Sequence, residues 1–305
     1  MASQYRILLD TSSLMWRAFF SVPPTVTGED GRPVNAVFGY LDMNGSLVAS
    51  RRPDELIHVF DNDWRPAPRV ASYAGYKAAR RPDPEGLPEQ FELLREFLDA
   101  FGLTQAEAPG WEGEDAIGSL CAQFEHDARA DIVTGDRDLI QLVRDPSVRV
   151  LFTVRGVSDL RQLDEAGVLA KYGVPASRYA DFAILRGDPS DGLPGVRGVG
   201  EKTARVLVNA YPDLDALVED ATSKGLPSPA LRKPLSLRPT IRDAAPYLAT
   251  MREVVPIRTN LDLQIRREPR DDQRLDELAE RHRVTGPVRR LREALDSVQE
   301  AQRSR

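Results

Sequence analysis

The stretch RILLD at residues 6–10 is the part of the sequence that decides the fold. It is a short apolar run that ends in a carboxylate, and LIHVFD at residues 56–61 repeats the same design. A third run, DIVTG at residues 131–135, leads directly into Asp136. Short, continuous apolar runs of this kind are typical of buried parallel strands. The sequence therefore predicts a set of parallel strands, each ended or followed by an aspartate.

Between these runs, apolar residues recur at the spacing of helices. One set is Phe91, Leu94, Phe97, Leu98 and Phe101, and a second is Ala116, Ile117, Leu120, Cys121 and Phe124. Strands that alternate with helices predict an α/β domain with a mainly parallel central sheet. Such sheets bind ligands at the carboxyl ends of their strands, so we expect Asp10, Asp61 and Asp136 to lie at one binding edge.

The composition describes a globular protein without disulfides. The chain has 305 residues, 41% of them hydrophobic, which suits one large domain or two of ordinary size. Cys121 is the only cysteine, which excludes an intrachain disulfide and a cysteine-based zinc cluster. The sequence has no run of ~20 apolar residues and no secretory signal, so we expect a cytoplasmic protein.

The formal net charge of −6 argues weakly against a nucleic-acid partner. That sum misleads where acidic side chains hold metal, because the bound cations neutralise charges that the sum counts. The distribution of charge along the chain is uneven, and it carries more information than the total.

Closely spaced carboxylates stand beside apolar runs in five segments. They are Asp10; Asp61; Glu112, Glu114 and Asp115; Asp136 and Asp138; and Asp188 and Asp191. Hydrolysis of a phosphodiester needs a hydroxide nucleophile and stabilisation of negative charge on oxygen, and two divalent cations about 4 Å apart supply both. Mg²⁺ prefers oxygen ligands and keeps several waters, so a few carboxylates per ion suffice. Without metal, this crowding would be repulsive and would raise the pKa values of the carboxyl groups.

Each acidic segment also has a purely structural alternative. The acids of WEGED at residues 111–115 stand where acids stabilise the start of a helix. Asp136 fits an N-cap equally well, and the acids of GDPSD at residues 187–191 fit a turn. Taken singly, Glu114 and Asp191 favour these alternatives. Taken together, parallel strands that end in aspartate at one sheet edge are hard to attribute to capping.

Residues 193–205, LPGVRGVGEKTAR, predict a helix-hairpin-helix. Glycines let the backbone approach a phosphate closely, and amides at the start of the second helix point towards it. The alternative is a glycine-rich connection with solvated basic residues, but the intact pattern favours a grip on the backbone of duplex DNA without base reading. The residues expected to contact DNA are Gly195, Arg197, Gly198, Gly200, Lys202, Thr203 and Arg205.

A second basic cluster lies in the polar segment at residues 67–86, which lacks an apolar stripe and is predicted to be an exposed loop with helical potential. Its basic and aromatic residues are Tyr73, Tyr76, Lys77, Arg80 and Arg81. They predict a positively charged passage for single-stranded nucleic acid, with aromatic faces for the bases. A lysine there would also stabilise charge on a scissile phosphate. A solvated loop is the alternative, and it is preferred unless the fold brings acids nearby.

Taken in order, these segments resemble the 5′-nuclease (flap endonuclease) family, especially the 5′→3′ exonuclease domain of bacterial DNA polymerase I and its free-standing relatives. The resemblance covers roughly residues 6–220. It is carried by LLDTSSLMWRAFF (8–20), NAVFGY (35–40), HVFDN (58–62), YKAARRP (76–82), GWEGEDAIGSL (110–120), IVTGDRDLIQLV (132–143) and LRGDPSDGLPGVRGVGEKTARVLV (185–208). No polymerase segment follows, so we expect a stand-alone nuclease.

The resemblance implies a PIN-like nuclease core with a helical arch, followed by a helix-three-turn-helix DNA clamp. We expect a catalytic domain at residues 1–175, with the arch near 67–86, and a helix-hairpin-helix region with a C-terminal segment at 176–305. The carboxylates named above, apart from Glu114, match the family's metal-site positions. Lys77 matches its catalytic arch lysine, and Arg80 matches the arginine partner of that lysine. The turn at residues 192–203 resembles the site where the family's backbone carbonyls hold a potassium ion against a DNA phosphate.

The chain departs from the family pattern at two positions. The family commonly has Asp where this chain has Glu114, and the longer side chain leaves the coordination there open. Asn often follows the second Asp of the GDxSD motif, where this chain has Gly192.

The sequence therefore predicts a 5′→3′ exodeoxyribonuclease and flap endonuclease that hydrolyses DNA, or RNA in a hybrid, at 5′ ends and 5′ flaps. Water activated by two or three Mg²⁺ or Mn²⁺ ions would leave a 5′-phosphate. The expected setting is Okazaki-fragment processing and DNA repair, linked to a DNA polymerase and a ligase. We expect a nucleoid-associated monomer without a membrane partner.

Two other functions remain open at the level of the sequence. A ribonuclease of the broader PIN class would act on structured RNA, although a minimal PIN domain needs neither the hairpin nor the arch segment. A non-catalytic protein that binds DNA junctions would keep the fold, although the repulsion among the carboxylates has no evident benefit without metals.

Overall fold

A central sheet organises the computed structural model, which describes residues 4–124, 128–154, 156–232 and 237–303. The strands are β1 Tyr5–Asp10, β2 Glu55–Val59, β3 Thr104–Glu107, β4 Arg129–Thr134, β5 Val148–Thr153, β6 Leu160–Leu163 and β7 Gln264–Arg266. Their order in the sheet is β6-β5-β4-β1-β2-β3-β7. The five inner strands pair in parallel, and the edge strands β6 and β7 pair antiparallel. The predicted α/β fold with a mainly parallel sheet is thus confirmed.

Helices cover both faces of this sheet. The helices before residue 175 are α1 Thr11–Ser21, α2 Asn35–Arg51, α3 Ala67–Ser72, α4 Leu87–Phe101, α5 Gly113–Gln123 and α6 Glu165–Tyr172. Those after it are α7 Tyr179–Arg186, α8 Glu201–Ala210, α9 Leu214–Thr222, α10 Pro229–Arg232, α11 Leu237–Asp243, α12 Ala245–Val254, α13 Asp272–Arg281 and α14 Thr285–Arg303. Short 3₁₀ turns lie at Asp138–Leu142, Ala176–Arg178 and Pro189–Asp191. Within the described ranges, no helix has the length and apolar character needed to cross a bilayer.

The chain between α12 and the edge strand β7 forms neither helix nor strand, because α12 ends at Val254 and β7 begins at Gln264. All three residues of β7 are exposed, and the strand is the antiparallel edge neighbour of β3. Because no side chain of this short edge strand is buried, the strand cannot be predicted from an alternation between buried apolar and exposed polar residues.

The sheet separates two apolar clusters because successive side chains of a strand point to opposite faces. On one face, Ile7 and Leu9 pack with the buried sides of α1, α2, α4, α13 and α14. On the other face, Leu8 packs with α5 and the helices from α7 to α12. The last two helices of the chain therefore return to the half of the molecule that its first hundred residues build.

The strand ends bring the candidate acids together. Asp10 is the last residue of β1, and Asp61 and Asp136 follow shortly after β2 and β4. These three strands are adjacent and parallel, in the order β4-β1-β2, so their carboxyl ends meet at the same edge. The predicted binding edge is therefore present, and it positions the site described next.

Candidate metal centre and nucleic-acid interface

A cavity of about 340 Å³ lies at the carboxyl edge of the sheet. The predicted acids that line it are Asp10, Asp61, Glu112, Glu114, Asp136, Asp138, Asp188 and Asp191. Lys77 and Arg80 line the same cavity. The ninth predicted acid, Asp115, does not line it but lies fully buried next to it, with a carboxylate oxygen within 4.8 Å of oxygens of Glu112 and Glu114.

Backbone donors fix the two acids at the ends of β1 and β2. One oxygen of Asp10 accepts a hydrogen bond from the amide of Ser13 at 3.1 Å, and the other accepts from the hydroxyl of Thr134 at 2.6 Å. Asp61 accepts from the amide of Gly113 at 2.6 Å, which joins the end of β2 to the start of α5. Asp10 is therefore the N-cap of α1, and Asp61 joins the end of β2 to α5 without being the N-cap of that helix. Each carboxylate oxygen still has a second lone pair and remains able to bind a cation.

The capping and turn contacts that the sequence allowed are present at some of the remaining acids and absent at others. Asp136 accepts from the amide of Asp138 at 2.9 Å, but the N-cap of the turn Asp138–Leu142 is Arg137 and not Asp136. Asp188 accepts from the amide of Ser190 at 3.0 Å, which is the turn contact that the sequence allowed. Glu112 occupies the N-cap position of α5 but makes no side-chain capping bond. Its carboxylate instead contacts buried cationic side chains, so capping does not explain it.

The cavity carries uncompensated negative charge. Burial raises the pKa of Asp10 to about 7, and the neighbouring carboxylates of Asp136 and Asp61 add to the rise, although the Thr134 hydroxyl opposes it. Burial likewise raises the pKa of Asp138, with further contributions from Asp136 and Asp191. Carboxylates behave in this way when like charges crowd in a site of low dielectric constant without enough counter-charge. A divalent cation is the counter-charge that such a site lacks.

The donor set itself fits a hard divalent cation. Every acid at the cavity offers carboxylate oxygen, which Mg²⁺ and Mn²⁺ prefer, and the buried Cys121 is not among the lining residues. One oxygen of Asp115 is buried and has no hydrogen-bond partner within the described residues. An unpaired buried carboxylate oxygen is costly, so a cation is a natural partner for it.

Lys77 projects its ammonium group among these acids. The side chain is only 7% exposed, its Nζ contacts an oxygen of Glu112, and an oxygen of Asp191 lies 4.0 Å away. Burial opposes the charged form, but the carboxylates of Glu112, Glu114 and Asp191 outweigh it and raise the pKa of Lys77. The ammonium group therefore stays protonated at neutral pH.

Most of the segment at residues 67–86 is exposed, as the sequence predicted, and its helical potential is confirmed by α3. The side chains of Arg69, Tyr76 and Lys77 differ from the prediction, because all three are at least nine-tenths buried. The reason is electrostatic: these side chains are held by the carboxylates of the cavity, so the segment packs without needing an apolar stripe. The acids that the sequence required nearby are therefore present.

The predicted aromatic faces of this segment are corrected in part. Tyr76 is 2% exposed and donates its hydroxyl to Glu112 at 2.6 Å, so its ring is not free to stack on a base. Tyr73 is half-buried and donates its hydroxyl to the carbonyl of Gly192 at 3.3 Å. Arg80 and Arg81 are exposed, and the guanidinium of Arg80 lies 5.8 Å from the ring centre of the half-exposed Trp64.

Arg69 is the residue that sequence reasoning missed. It donates to Glu112, to Glu114 at 3.0 Å and to Asp115 at 2.8 Å. These partners lie 43 to 46 residues away in the chain, so the contact cannot be predicted from a local sequence pattern. Arg69 does not line the cavity itself. The unpredicted residues that do line it are Ser12, Ser13, Trp16, Gly135, Arg137 and Ser190.

The predicted hairpin is present between α7 and α8. Arg197, Gly198, Gly200 and Lys202 are exposed. The other predicted contacts are less available: Thr203 is half-buried, Arg205 pairs with Glu201 at 3.0 Å, and the amide of Gly195 donates to the hydroxyl of Tyr247 at 3.0 Å. Gly195 is instead required by the fold, because it has φ +70° and an added Cβ would lie 2.5 Å from the carbonyl oxygen of Arg186.

Comparisons with known proteins agree with this architecture. A family model described as 5′-3′ exonuclease, N-terminal resolvase-like domain, matches residues 6–173, and one described as 5′-3′ exonuclease, C-terminal SAM fold, matches residues 174–277. The chain is 43% identical to a 5′-3′ exonuclease of Streptomyces coelicolor, over 93% of this chain and 98% of that protein. It is 39% identical to a 5′-3′ exonuclease of Mycobacterium tuberculosis, over 96% and 98%.

Longer proteins and solved structures extend the likeness. DNA polymerase I of Mycobacterium bovis is 40% identical over 75% of this chain, which spans 26% of that protein. The bacteriophage T5 D15 flap endonuclease, solved with DNA and metal ions, has a TM-score of 0.66 at 16% identity, over 97% of this chain and all of that one. Human GEN1, solved with Holliday junction DNA, has a TM-score of 0.65 at 17% identity, over 97% and 74%. At these identities the two structures share the fold, and it is the family models and close relatives that show this chain to be a nuclease of the 5′-3′ exonuclease family.

Proposed function

We propose that the protein is a structure-specific 5′ nuclease that hydrolyses phosphodiester bonds of DNA at 5′ ends and at 5′ flaps with the help of divalent metal ions. The observation that carries this proposal is the convergence of eight acids, Lys77 and Arg80 on one cavity. The exposed basic turn beside it supplies the means to hold duplex DNA.

The acids of the cavity are the groups that would hold the metal. We assign two or three Mg²⁺ or Mn²⁺ ions to Asp10, Asp61, Glu112, Glu114, Asp136, Asp138, Asp188 and Asp191, with Asp115 beside them. When bound, such ions lower the pKa of water and neutralise charge that develops on phosphate oxygens. The carboxylates position the ions, and Thr134 and Gly113 in turn hold two of those carboxylates in place.

Lys77 and Arg80 act on the scissile phosphate. The protonated ammonium of Lys77 lies inside the cavity and stabilises negative charge there, where low dielectric makes it effective. Arg80 stands at the exposed side of the same cavity, and its guanidinium orients the incoming phosphate by paired hydrogen bonds. Arg81 continues the positive surface towards single-stranded nucleic acid.

The hairpin sets the position of the cut. Arg197 and Lys202 are exposed beside the free amides at the start of α8, which together bind phosphates of the duplex backbone. A potassium ion held by backbone carbonyls of residues 192–203 would strengthen this contact. The turn Pro189–Asp191 supplies cavity acids and continues directly into the hairpin, so the distance from the duplex grip to the cavity is fixed by the fold.

The biological setting that we propose is Okazaki-fragment processing and DNA repair. Its substrates would be 5′-flapped DNA and RNA–DNA hybrids, its products would carry a 5′-phosphate, and a DNA polymerase and a ligase would act next to it. The likeness to DNA polymerase I supports this setting. We propose that the protein works as a monomer at the nucleoid.

A polarity assay tests the proposed function. Duplexes of identical sequence that carry a 5′ flap, a 3′ flap or a blunt end are incubated with the protein and Mg²⁺, beside single-stranded and structured RNA. We expect the 5′-flap duplex to be cut fastest, at its junction, and to yield 5′-phosphate ends. Preferential cutting of the 3′ flap would contradict the proposal, and preferential cutting of structured RNA would support the PIN-class ribonuclease instead.

A further inference from the structure

Arg69 is the most deeply buried cation near the cavity. Its side chain is 1% exposed, and one of its terminal nitrogens donates to both Glu112 and Glu114. The other donates to Asp115 at 2.8 Å and approaches the carbonyl of Pro256 at 3.5 Å. The guanidinium thus reaches three carboxylates that come from the start of a single helix, α5.

The same three carboxylates form the tightest acidic group within the described ranges, with ligand oxygens all within 4.8 Å of one another. Three carboxylates at this spacing, of which Glu112 and Asp115 are buried and Glu114 is half-buried, repel strongly when ionised unless a cation lies between them. A divalent ion is one such cation, and Arg69, assisted by Lys77 on Glu112, occupies that position here. Arg69 and a metal ion therefore neutralise the same oxygens.

We propose that Arg69 is a positioning residue that stands in for a divalent cation among Glu112, Glu114 and Asp115 when the protein is free of metal. Arg69 holds these three carboxylates together, and a metal ion that binds there neutralises part of the charge that Arg69 otherwise neutralises. The inference rests on the proposed function, because it concerns the same acids. It adds that the metal-free fold depends on an internal cation that competes with the metal.

The rings around Arg69 fix the guanidinium in this position. It lies 5.6 Å from the ring centre of Tyr76 and 5.9 Å from that of Trp111, both within the range of cation–π attraction. The guanidinium is therefore held in place, and its loss would remove the ion pairs that it makes with Glu114 and Asp115.

Thermal unfolding of Arg69→Met, with EDTA and with excess Mn²⁺, tests the proposal. Methionine keeps much of the side-chain volume and removes the charge. In EDTA we expect a melting temperature lower than that of the wild type by on the order of 10 °C, because Glu112, Glu114 and Asp115 lose the counter-ion that they share. Mn²⁺ should then raise the melting temperature of the variant more than that of the wild type, because the metal no longer competes with an internal cation.

Arg149→Met is the matched control. Arg149 pairs with the buried Asp131 through bonds of 2.7 to 3.0 Å, and neither residue lines the cavity. Its loss should lower the melting temperature equally with EDTA and with Mn²⁺. If Arg69→Met does not fold, Arg69→Lys, which keeps the charge but not the forked geometry, should show the same excess Mn²⁺ response at smaller size.

The outcomes separate this inference from the proposed function. An Mn²⁺-induced shift that is no larger in the Arg69 variants than in the wild type would refute the role of Arg69 and leave the metal site intact. Absence of any Mn²⁺-induced shift in the wild type would remove the metal site, and with it both proposals.

Discussion

The charges of single residues at the cavity are set by burial and by the neighbouring carboxylates. Asp10, Asp138 and Asp191 have raised pKa values because they are buried and face other carboxylates. The pKa of Lys77 is raised as well, since the carboxylates of Glu112, Glu114 and Asp191 outweigh its burial and stabilise its ammonium group. The site therefore holds a protonated lysine that can stabilise a phosphate. It also has more carboxylates than cationic side chains, which favours the binding of a metal ion.

Lys77→Ala should slow the chemical step far more than it weakens DNA binding. The ammonium lies inside the cavity rather than on the outer surface, so it contributes little to the first encounter with DNA. We expect single-turnover cleavage of a 5′-flap duplex to fall by about 100-fold or more, with the dissociation constant for the same duplex within a few-fold of the wild type. A loss confined to affinity would contradict the catalytic role.

Asp10 should make the metal-free protein more stable in mild acid than at neutral pH. Its pKa is raised to about 7 in the folded state, so the folded protein binds a proton more tightly than the unfolded chain. The stability that protonation gives is fully present below the ordinary aspartate pKa and is lost as the pH rises through about 7. Thermal unfolding in EDTA across this range should show that fall, and Asp10→Asn should flatten it. An unchanged pH profile in the variant would refute the assignment.

At the scale of elements, the segment at residues 67–86 is joined by hydrogen bonds to the turn that leads into the hairpin. The amide of Lys77 donates to the carbonyl of Asp191 at 2.9 Å, and Tyr73 donates to that of Gly192. Gly192 has φ +72°, and an added Cβ would lie 2.5 Å from the carbonyl oxygen of Gly75. Asparagine tolerates this backbone conformation but not this contact, which gives a physical reason for glycine here.

Gly192→Ala should therefore displace Lys77 and slow cleavage without weakening the duplex grip. The new methyl group would push against Gly75, two residues before Lys77. We expect at least a 10-fold lower single-turnover rate with an unchanged dissociation constant for DNA. Gly31→Ala is the control, because Gly31 has a similar φ of +78° but nothing within 4 Å of the added Cβ. Equal cleavage rates in the two variants would contradict the contact's role.

The elements also show what local sequence signals determine. Strands β1, β2 and β4 are predictable because each is a continuous apolar run next to an aspartate, and both features are local. The burial of Tyr76 is not predictable in this way, since its hydroxyl is bound by Glu112, 36 residues further on. Likewise, β7 is not predictable, because its strand partner β3 is far away in the chain and its own residues are exposed.

At the scale of the whole molecule, the C-terminal helices α13 and α14 complete the apolar cluster that α1, α2 and α4 begin. Leu291 of α14 is fully buried in the cluster that α1, α2 and α4 build, and its backbone lies against Gly45 of α2. Arg290 beside it pairs with Asp42 at 2.5 Å. The two ends of the chain therefore share one apolar core on this face of the sheet.

Leu291→Ala should destabilise the nuclease half rather than a separate tail. Removing a fully buried leucine costs about 2–5 kcal/mol of unfolding free energy. We expect a single cooperative transition that moves to lower denaturant concentration, with cleavage lost in parallel. An early separate transition that leaves cleavage intact would show instead that α14 folds independently of the core.

The convergence of the acids is tested most directly by cleavage and binding measured on the same 5′-flap duplex, for the wild type and for Asp138→Asn. We predict no cleavage by the wild type in EDTA, and cleavage restored by Mg²⁺ or Mn²⁺. Asp138→Asn should bind the duplex with near wild-type affinity and cut it at least about 100-fold more slowly in Mg²⁺. Cleavage in EDTA, or full activity of the variant, would contradict a metal centre built from these carboxylates.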